Sequence, residues 1–151
     1  MSFDELGKLA QEVEFEAHKK RLGDNLKSSE EFLAGVATRP GVRCVDDMLL
    51  YYEVVKEGVG PVLDDVKGSY YFNYMARLPD DRVLYDTKES GCQQVALDSV
   101  IPGFAKGVMG MRQGERRLLY IHPSLGFRSM HWTVPPNMVL VMDVELGGEA
   151  K

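Results

Sequence analysis

The sequence predicts an α+β fold, and three observations carry that prediction. Tyr70, Phe72 and Tyr74 alternate with Tyr71, Asn73 and Met75, and Leu140, Met142, Val144 and Leu146 alternate with Val141, Asp143 and Glu145. A period of two residues is that of a half-buried antiparallel strand. Apolar residues then fall at positions 100, 101, 104, 105, 108 and 109, with Pro102 and Gly103 opening the turn. That spacing predicts a short helix with one buried face, which needs another element to cover it, most simply a sheet. Residues 2 to about 37 form a charged, helix-prone stretch that ends at Thr38-Arg39-Pro40-Gly41. Proline excludes helix at the residue before it, and glycine permits the turn out. The chain therefore divides into a helical arm, residues 1–40, and a mostly antiparallel domain, residues 41–151.

In the arm, Ser2-Phe3-Asp4-Glu5 has the form of a capping box, and Ser28-Ser29-Glu30-Glu31 repeats it. Gly23-Asp24-Asn25 between them weakens or bends a helix. Glu16 and Lys20 make an i,i+4 pair. The apolar positions form two sets: Leu6, Leu9, Val13 and Ala17, and then Phe15, Leu22, Leu26 and Leu33. At roughly 100° per residue these faces lie nearly opposite each other. One helix with two apolar faces would pack against two things, for instance a second chain and its own domain. The alternative is two helices folded into a hairpin.

Past Gly41 the chain reads as short strands. Met48 to Val55 comes first and ends at Gly58-Val59-Gly60-Pro61, and Tyr70 to Leu78 ends at Pro79-Asp80-Asp81. Val83 to Asp86 and Gln94 to Leu97 precede the short helix. Gly110 and Gly114 suit the exit from that helix, and Arg116 to His122 and Val139 to Leu146 complete the set.

Composition excludes several classes. A net charge of -5 argues against nucleic acid and against an anionic membrane surface, because both need a basic face. No apolar run approaches the ~20 residues of a membrane-spanning helix. Met1 to Lys8 carries Asp4 and Glu5 and no apolar core, so no secretory leader is visible. The expected location is cytoplasmic, or periplasmic or cell-surface if a leader has been removed. Cys44 and Cys92 form no C-x-x-C pair and read as free thiols. His122 and His131 have no matching ligands around them, so no metal site is expected. Gly107, Gly110 and Gly114 are turn and packing glycines. No Lys-Ser/Thr follows them to make a phosphate loop.

One set of motifs is more specific. Val100-Ile101-Pro102-Gly103-Phe104 is followed by Gly110-Met111-Arg112-Gln113-Gly114-Glu115-Arg116, then by Tyr120-Ile121-His122-Pro123, then by Val134-Pro135-Pro136-Asn137. In order and spacing this resembles the FK506-binding-protein (FKBP) type of peptidyl-prolyl isomerase, over roughly residues 41 to 147. It is closest in form to the Mip-like (macrophage infectivity potentiator) branch, which places a helical arm before the isomerase domain. The resemblance implies a curved sheet wrapped on the short helix, with an apolar pocket between them. It implies peptidyl-prolyl cis-trans isomerase activity on proline-containing peptides or unfolded proteins, with no cofactor. It also implies a site made of Tyr74, Asp86, Phe104 and Phe127, with Tyr85, Val100, Ile101, Val134 and Met142 holding the substrate. Ile101 N–H would donate to a substrate carbonyl, Phe104 would floor the proline ring, and Asp86 in Tyr85-Asp86-Thr87 would polarise the site. The loop before Asp86 is one residue long for the pattern, so Leu84 is an alternative wall to Tyr85.

The sequence also departs from the family pattern. Phe104 stands where the floor is usually Trp, and Phe127 where a hydroxyl-bearing Tyr is usual. Arg128 stands in place of a Gly, and Gln93 and Met142 in place of wall aromatics. Losing a hydroxyl donor costs on the order of 1 kcal/mol when its partner stays buried. The expectation is therefore weak activity and weak affinity for FK506- or rapamycin-type macrolides. Two rival readings stay open: an FKBP-fold binding or chaperone module with little or no isomerase activity, and a structural domain whose arm forms a homodimer.

Overall fold

The computed structural model describes residues 3–64, 68–87, 92–126 and 137–149. One helix, α1 (Phe3–Ala37), is followed by β1 (Val42–Asp46), β2 (Leu50–Lys56), β3 (Ser69–Arg77), β4 (Val83–Asp86) and β5 (Gln93–Ala96). Then come α2 (Pro102–Gly107), β6 (Arg116–Ile121) and β7 (Leu140–Glu149). The strands make one antiparallel sheet in the order β1-β2-β6-β7-β3-β4, with β5 pairing β3.

The arm is a single unbroken helix of 35 residues, which overturns the hairpin alternative. Gly23 is exposed, and a Cβ there would touch nothing. Its cost of about 1 kcal/mol is too small to break a helix that contains no proline. Ser28 and Ser29 cap nothing, because they lie inside the helix. The side chains of Leu6, Leu9, Val13, Phe15 and Leu22 lie outside the described set. Helix α1 ends where expected: the Thr38 hydroxyl donates to the Gly35 carbonyl at 2.7 Å, and Gly41 takes a φ of +84° to turn the chain into β1.

The sheet separates two cores. Alternation sends Tyr70, Phe72, Tyr74 and Ala76 of β3, Leu119 and Ile121 of β6, and Leu140, Met142, Val144 and Leu146 of β7 to one side. There they meet Phe104 and Val108 at α2, so α2 lies in the curve of the sheet. On the other side Tyr51, Tyr120 and Val141, with Val139 just before β7, meet Leu33 and Val36 from the last turns of α1, with Phe32 packed beside them. The end of the arm is thus built into the domain.

Strand β1 was not anticipated. It is an edge strand with three consecutive exposed residues, so burial imposes no two-residue pattern on it. Strand β7 runs past Leu146 to Glu149, because a bulge at Gly147 of β7 lets Gly148 and Glu149 keep pairing with Tyr71 and Tyr70.

Candidate functional site

Helix α2 positions the site, and the sequence lets it sit close to the sheet. A Cβ on Gly103 would collide with the Ile121 side chain, and one on Gly107 would come within 2.8 Å of Leu119. Glycine at both positions brings the helix down onto β6. The helix exit is held by Arg117, which donates to the Gly107 carbonyl at 3.1 Å and the Met109 carbonyl at 2.9 Å. Arg117 is itself buried. It pairs with buried Glu115 and stacks over the Tyr52 ring at 4.2 Å from guanidinium carbon to ring centroid. Glu115 in turn accepts from the Arg112 N–H at 3.2 Å. Every charge in this cluster is answered, as a buried ion pair requires. A sequence signal for it existed: Arg117 shares the inward parity of Leu119 and Ile121.

Above this support the apolar site converges. Phe104 is 3% exposed. Phe72 meets its ring edge-on at a centroid distance of 5.1 Å and 80°, and Tyr74 does so at 5.9 Å and 69°. These are favourable aromatic arrangements. Val100 and Ile101, half-buried, enter the same cluster just before α2, and Met142 enters it from β7. Five of the nine expected residues, Tyr74, Val100, Ile101, Phe104 and Met142, are therefore brought together by the fold. The Ile101 carbonyl accepts from the N–H groups of Phe104 and Ala105 and so starts α2.

Of the other four expected residues, the structure describes Asp86 and the backbone of Tyr85. Asp86 is exposed at the end of β4, with its backbone opposite Met75. Tyr85 lies opposite Ala76 in the ladder, and its side chain is outside the described set. Leu84 is half-buried against the inner cluster, the position of the alternative wall. Phe127 and Val134 lie outside the described residues. Gln93 is half-buried opposite Phe72.

Thr87 does more than the sequence reading assigned it. It is 1% exposed, and its hydroxyl accepts from the Tyr74 N–H at 2.9 Å and donates to Asn73 Oδ1 at 3.2 Å. Its own N–H donates to the Tyr74 carbonyl at 3.0 Å. A short polar residue just past a strand end gives little warning of such a role in sequence.

Comparison with known proteins agrees with this architecture. The family profile described as FKBP-type peptidyl-prolyl cis-trans isomerase matches residues 67–147. A peptidyl-prolyl cis-trans isomerase Mip of Chlamydia trachomatis is 36% identical over 89% of this chain and 55% of its own length. The FKBP-type isomerase FkpA of Escherichia coli is 31% identical over 85% of this chain and 47% of its own. The chain thus spans about half the length of these curated relatives. Among solved structures, FkpA of Escherichia coli superposes with a TM-score of 0.81 at 26% identity, covering 99% of this chain and 73% of that one. A peptidyl-prolyl isomerase of Pseudomonas syringae superposes at 0.77 and 27% identity, covering 85% and 96%. With more than half of its length matched by the profile and its inner face arranged around α2, the chain belongs to the FKBP-type peptidyl-prolyl cis-trans isomerase family.

Proposed function

We propose that this chain is a peptidyl-prolyl cis-trans isomerase that acts on proline-containing peptides and unfolded proteins by non-covalent catalysis. Rotation about the prolyl bond is opposed by amide resonance worth roughly 18–20 kcal/mol. The planar amide is charge-separated and is stabilised by water, whereas the twisted transition state has lost that resonance. An apolar site formed by Tyr74, Val100, Ile101, Phe104 and Met142 offers little polarity to the planar form. It therefore favours the twisted form by comparison. The Ile101 N–H, at the start of α2, is the donor assigned to the substrate carbonyl, and Asp86 supplies charge at the site's edge. The observation that supports this reading is the convergence of those five side chains on one cluster in a chain of this family.

The test is a protease-coupled or NMR exchange assay on a short Xaa-Pro peptide, with substoichiometric protein. Acceleration supports the isomerase. Suppression of aggregation only near equimolar amounts, with no acceleration, supports a binding module instead. The same reading includes weak macrolide affinity, because Phe104 supplies no indole N–H at the pocket floor, and a homodimer formed through the first turns of α1.

A further inference from the structure

We propose that Ser29, on α1, is a positioning residue for the proline pocket and acts through the entry of β7. The inference rests on the isomerase reading above. Ser29 is 1% exposed, although it lies in a helix whose neighbouring positions 28, 30 and 31 are exposed. A serine inside a helix ordinarily turns to solvent or back to the carbonyl one turn earlier. Here the hydroxyl reaches across more than 100 residues of chain. It donates to the Asn137 carbonyl at 2.8 Å and accepts from the Val139 N–H at 2.9 Å.

Those two backbone groups lie where the chain turns into β7. Asn137 takes the left-handed conformation, φ +58°, which asparagine tolerates better than most residues. Val139 is fully buried in the outer core. The turn is thus fixed by one side chain that satisfies a donor and an acceptor on either side of Met138. From that point the strand period sends Val141 outward to the arm and Met142 inward to the apolar cluster around Phe104. A shift at Val139 is carried along a continuous strand to Met142.

The next residue of the helix reaches the adjoining strand. Glu30 Oε1 lies 3.8 Å from His122 Nε2, at the exit of β6. The His122 Nδ1 accepts from the Ser124 N–H at 3.0 Å and fixes the 3₁₀ turn Pro123–Leu125. Leu125 of that turn packs on the inner cluster, and its carbonyl would lie 3.1 Å from a Cβ on Gly103. Ser29 therefore bonds the strand end that delivers Met142, and the next residue of α1 lies beside the turn that backs the start of α2. The arm is part of the machinery that shapes the pocket.

The experiment measures kcat and KM separately on a short Xaa-Pro peptide for wild type, Ser29→Ala and Ser29→Thr, well below their melting temperatures. A displaced wall weakens substrate and transition state alike, which raises KM and leaves kcat near its starting value. Ser29→Ala is expected to raise KM about three- to tenfold with kcat within about twofold. Ser29→Thr keeps the hydroxyl and is expected to hold KM near wild type even if its extra methyl lowers stability. If Ser29→Ala does not fold, Ser29→Cys, which keeps the volume and weakens the hydrogen bonds, takes its place with the same expectation. Unchanged KM in the hydroxyl-deleted variant, or Ser29→Thr behaving like Ser29→Ala, overturns the proposal. The Met142 methyl resonance is followed in parallel, because it needs no turnover. It should move in Ser29→Ala and return in Ser29→Thr, and an unmoved resonance also overturns the proposal. A wild type with no turnover but with this pattern of shifts sinks the isomerase reading alone.

Discussion

Thr87 holds Tyr74 by both of its backbone polar groups: its hydroxyl accepts from the Tyr74 N–H and its own N–H donates to the Tyr74 carbonyl. The Tyr74 ring in turn meets Phe104 edge-on. The ring position is therefore set from the strand end rather than from within the pocket. Thr87→Val keeps the shape and removes the hydroxyl. The expected result is a loss of about 1–3 kcal/mol in a urea titration, since a buried donor loses its acceptor. A fall in kcat/KM should accompany it in the peptide assay. Full stability with reduced activity would assign Thr87 to the site alone, and no change in either would show that Tyr74 does not depend on it.

Phe104 and Asp86 separate packing from chemistry. Phe104 is enclosed by Phe72 and Tyr74, so Phe104→Ala should cost about 3–5 kcal/mol as well as activity. Asp86 is exposed, and Asp86→Ala should leave the denaturation midpoint close to wild type while lowering kcat/KM. Activity that survives in both variants at a temperature where both are folded would mean that the pocket lies elsewhere.

The fold was legible wherever burial imposes a period. Tyr70, Phe72 and Tyr74 alternate because one face of β3 meets α2, and 100, 101, 104, 105 and 108 recur because one face of the helix region meets the sheet. Strand β1 is exposed for most of its length, so nothing in Val42-Arg43-Cys44-Val45-Asp46 marks it as a strand. The inner site was legible chiefly through family resemblance, since Tyr74 and Met142 on their own read as core. Ser29 and Thr87 were invisible for a shared reason. Each acts through one hydroxyl on a partner distant in sequence, and no local pattern encodes that partner.

The His122 imidazole supplies a pH dependence with a definite sign. Burial lowers its pKa below the ordinary 6.5, and the nearby Glu30 carboxylate opposes that shift without cancelling it. The folded state therefore prefers neutral His122, and its Nδ1 must be unprotonated to accept from the Ser124 N–H. A group whose pKa is lowered on folding contributes stability above its unfolded pKa, and that stability is lost as pH falls through the folded value. The contribution should be complete near pH 7 and should decline below about pH 6.5. His122→Asn retains a capping acceptor that does not titrate in this range. Wild type should lose stability relative to His122→Asn between neutral and mildly acidic pH. A constant difference across that window would mean that His122 does not carry the effect.

The last turns of α1 decide where the chain can be cut. Leu33 and Val36 are fully buried against the outer face of the sheet, and Ser29 bonds the start of β7. Burying a leucine or valine side chain is worth about 1.5–3 kcal/mol. Losing two of them removes about 3–6 kcal/mol from a domain stability of ordinarily about 5–15 kcal/mol. The same loss uncovers Tyr51, Tyr120 and Val141. A chain beginning at Gly41 should therefore be strongly destabilised by thermal melting, although Gly41 opens the sheet domain in sequence. A chain beginning at Asn25 keeps every one of these contacts and should melt close to the 151-residue chain. It lacks Leu6, Leu9 and Val13, the apolar set assigned to a second copy. Sedimentation should then find the 151-residue chain as a dimer and the Asn25 chain as a monomer. Two monomers at the highest attainable concentration would remove the dimer from the proposed function and leave Leu6, Leu9 and Val13 without a partner. A dimer in both would move the contact to residues beyond Asn25, where the outer face of the sheet is already occupied by the arm of its own chain.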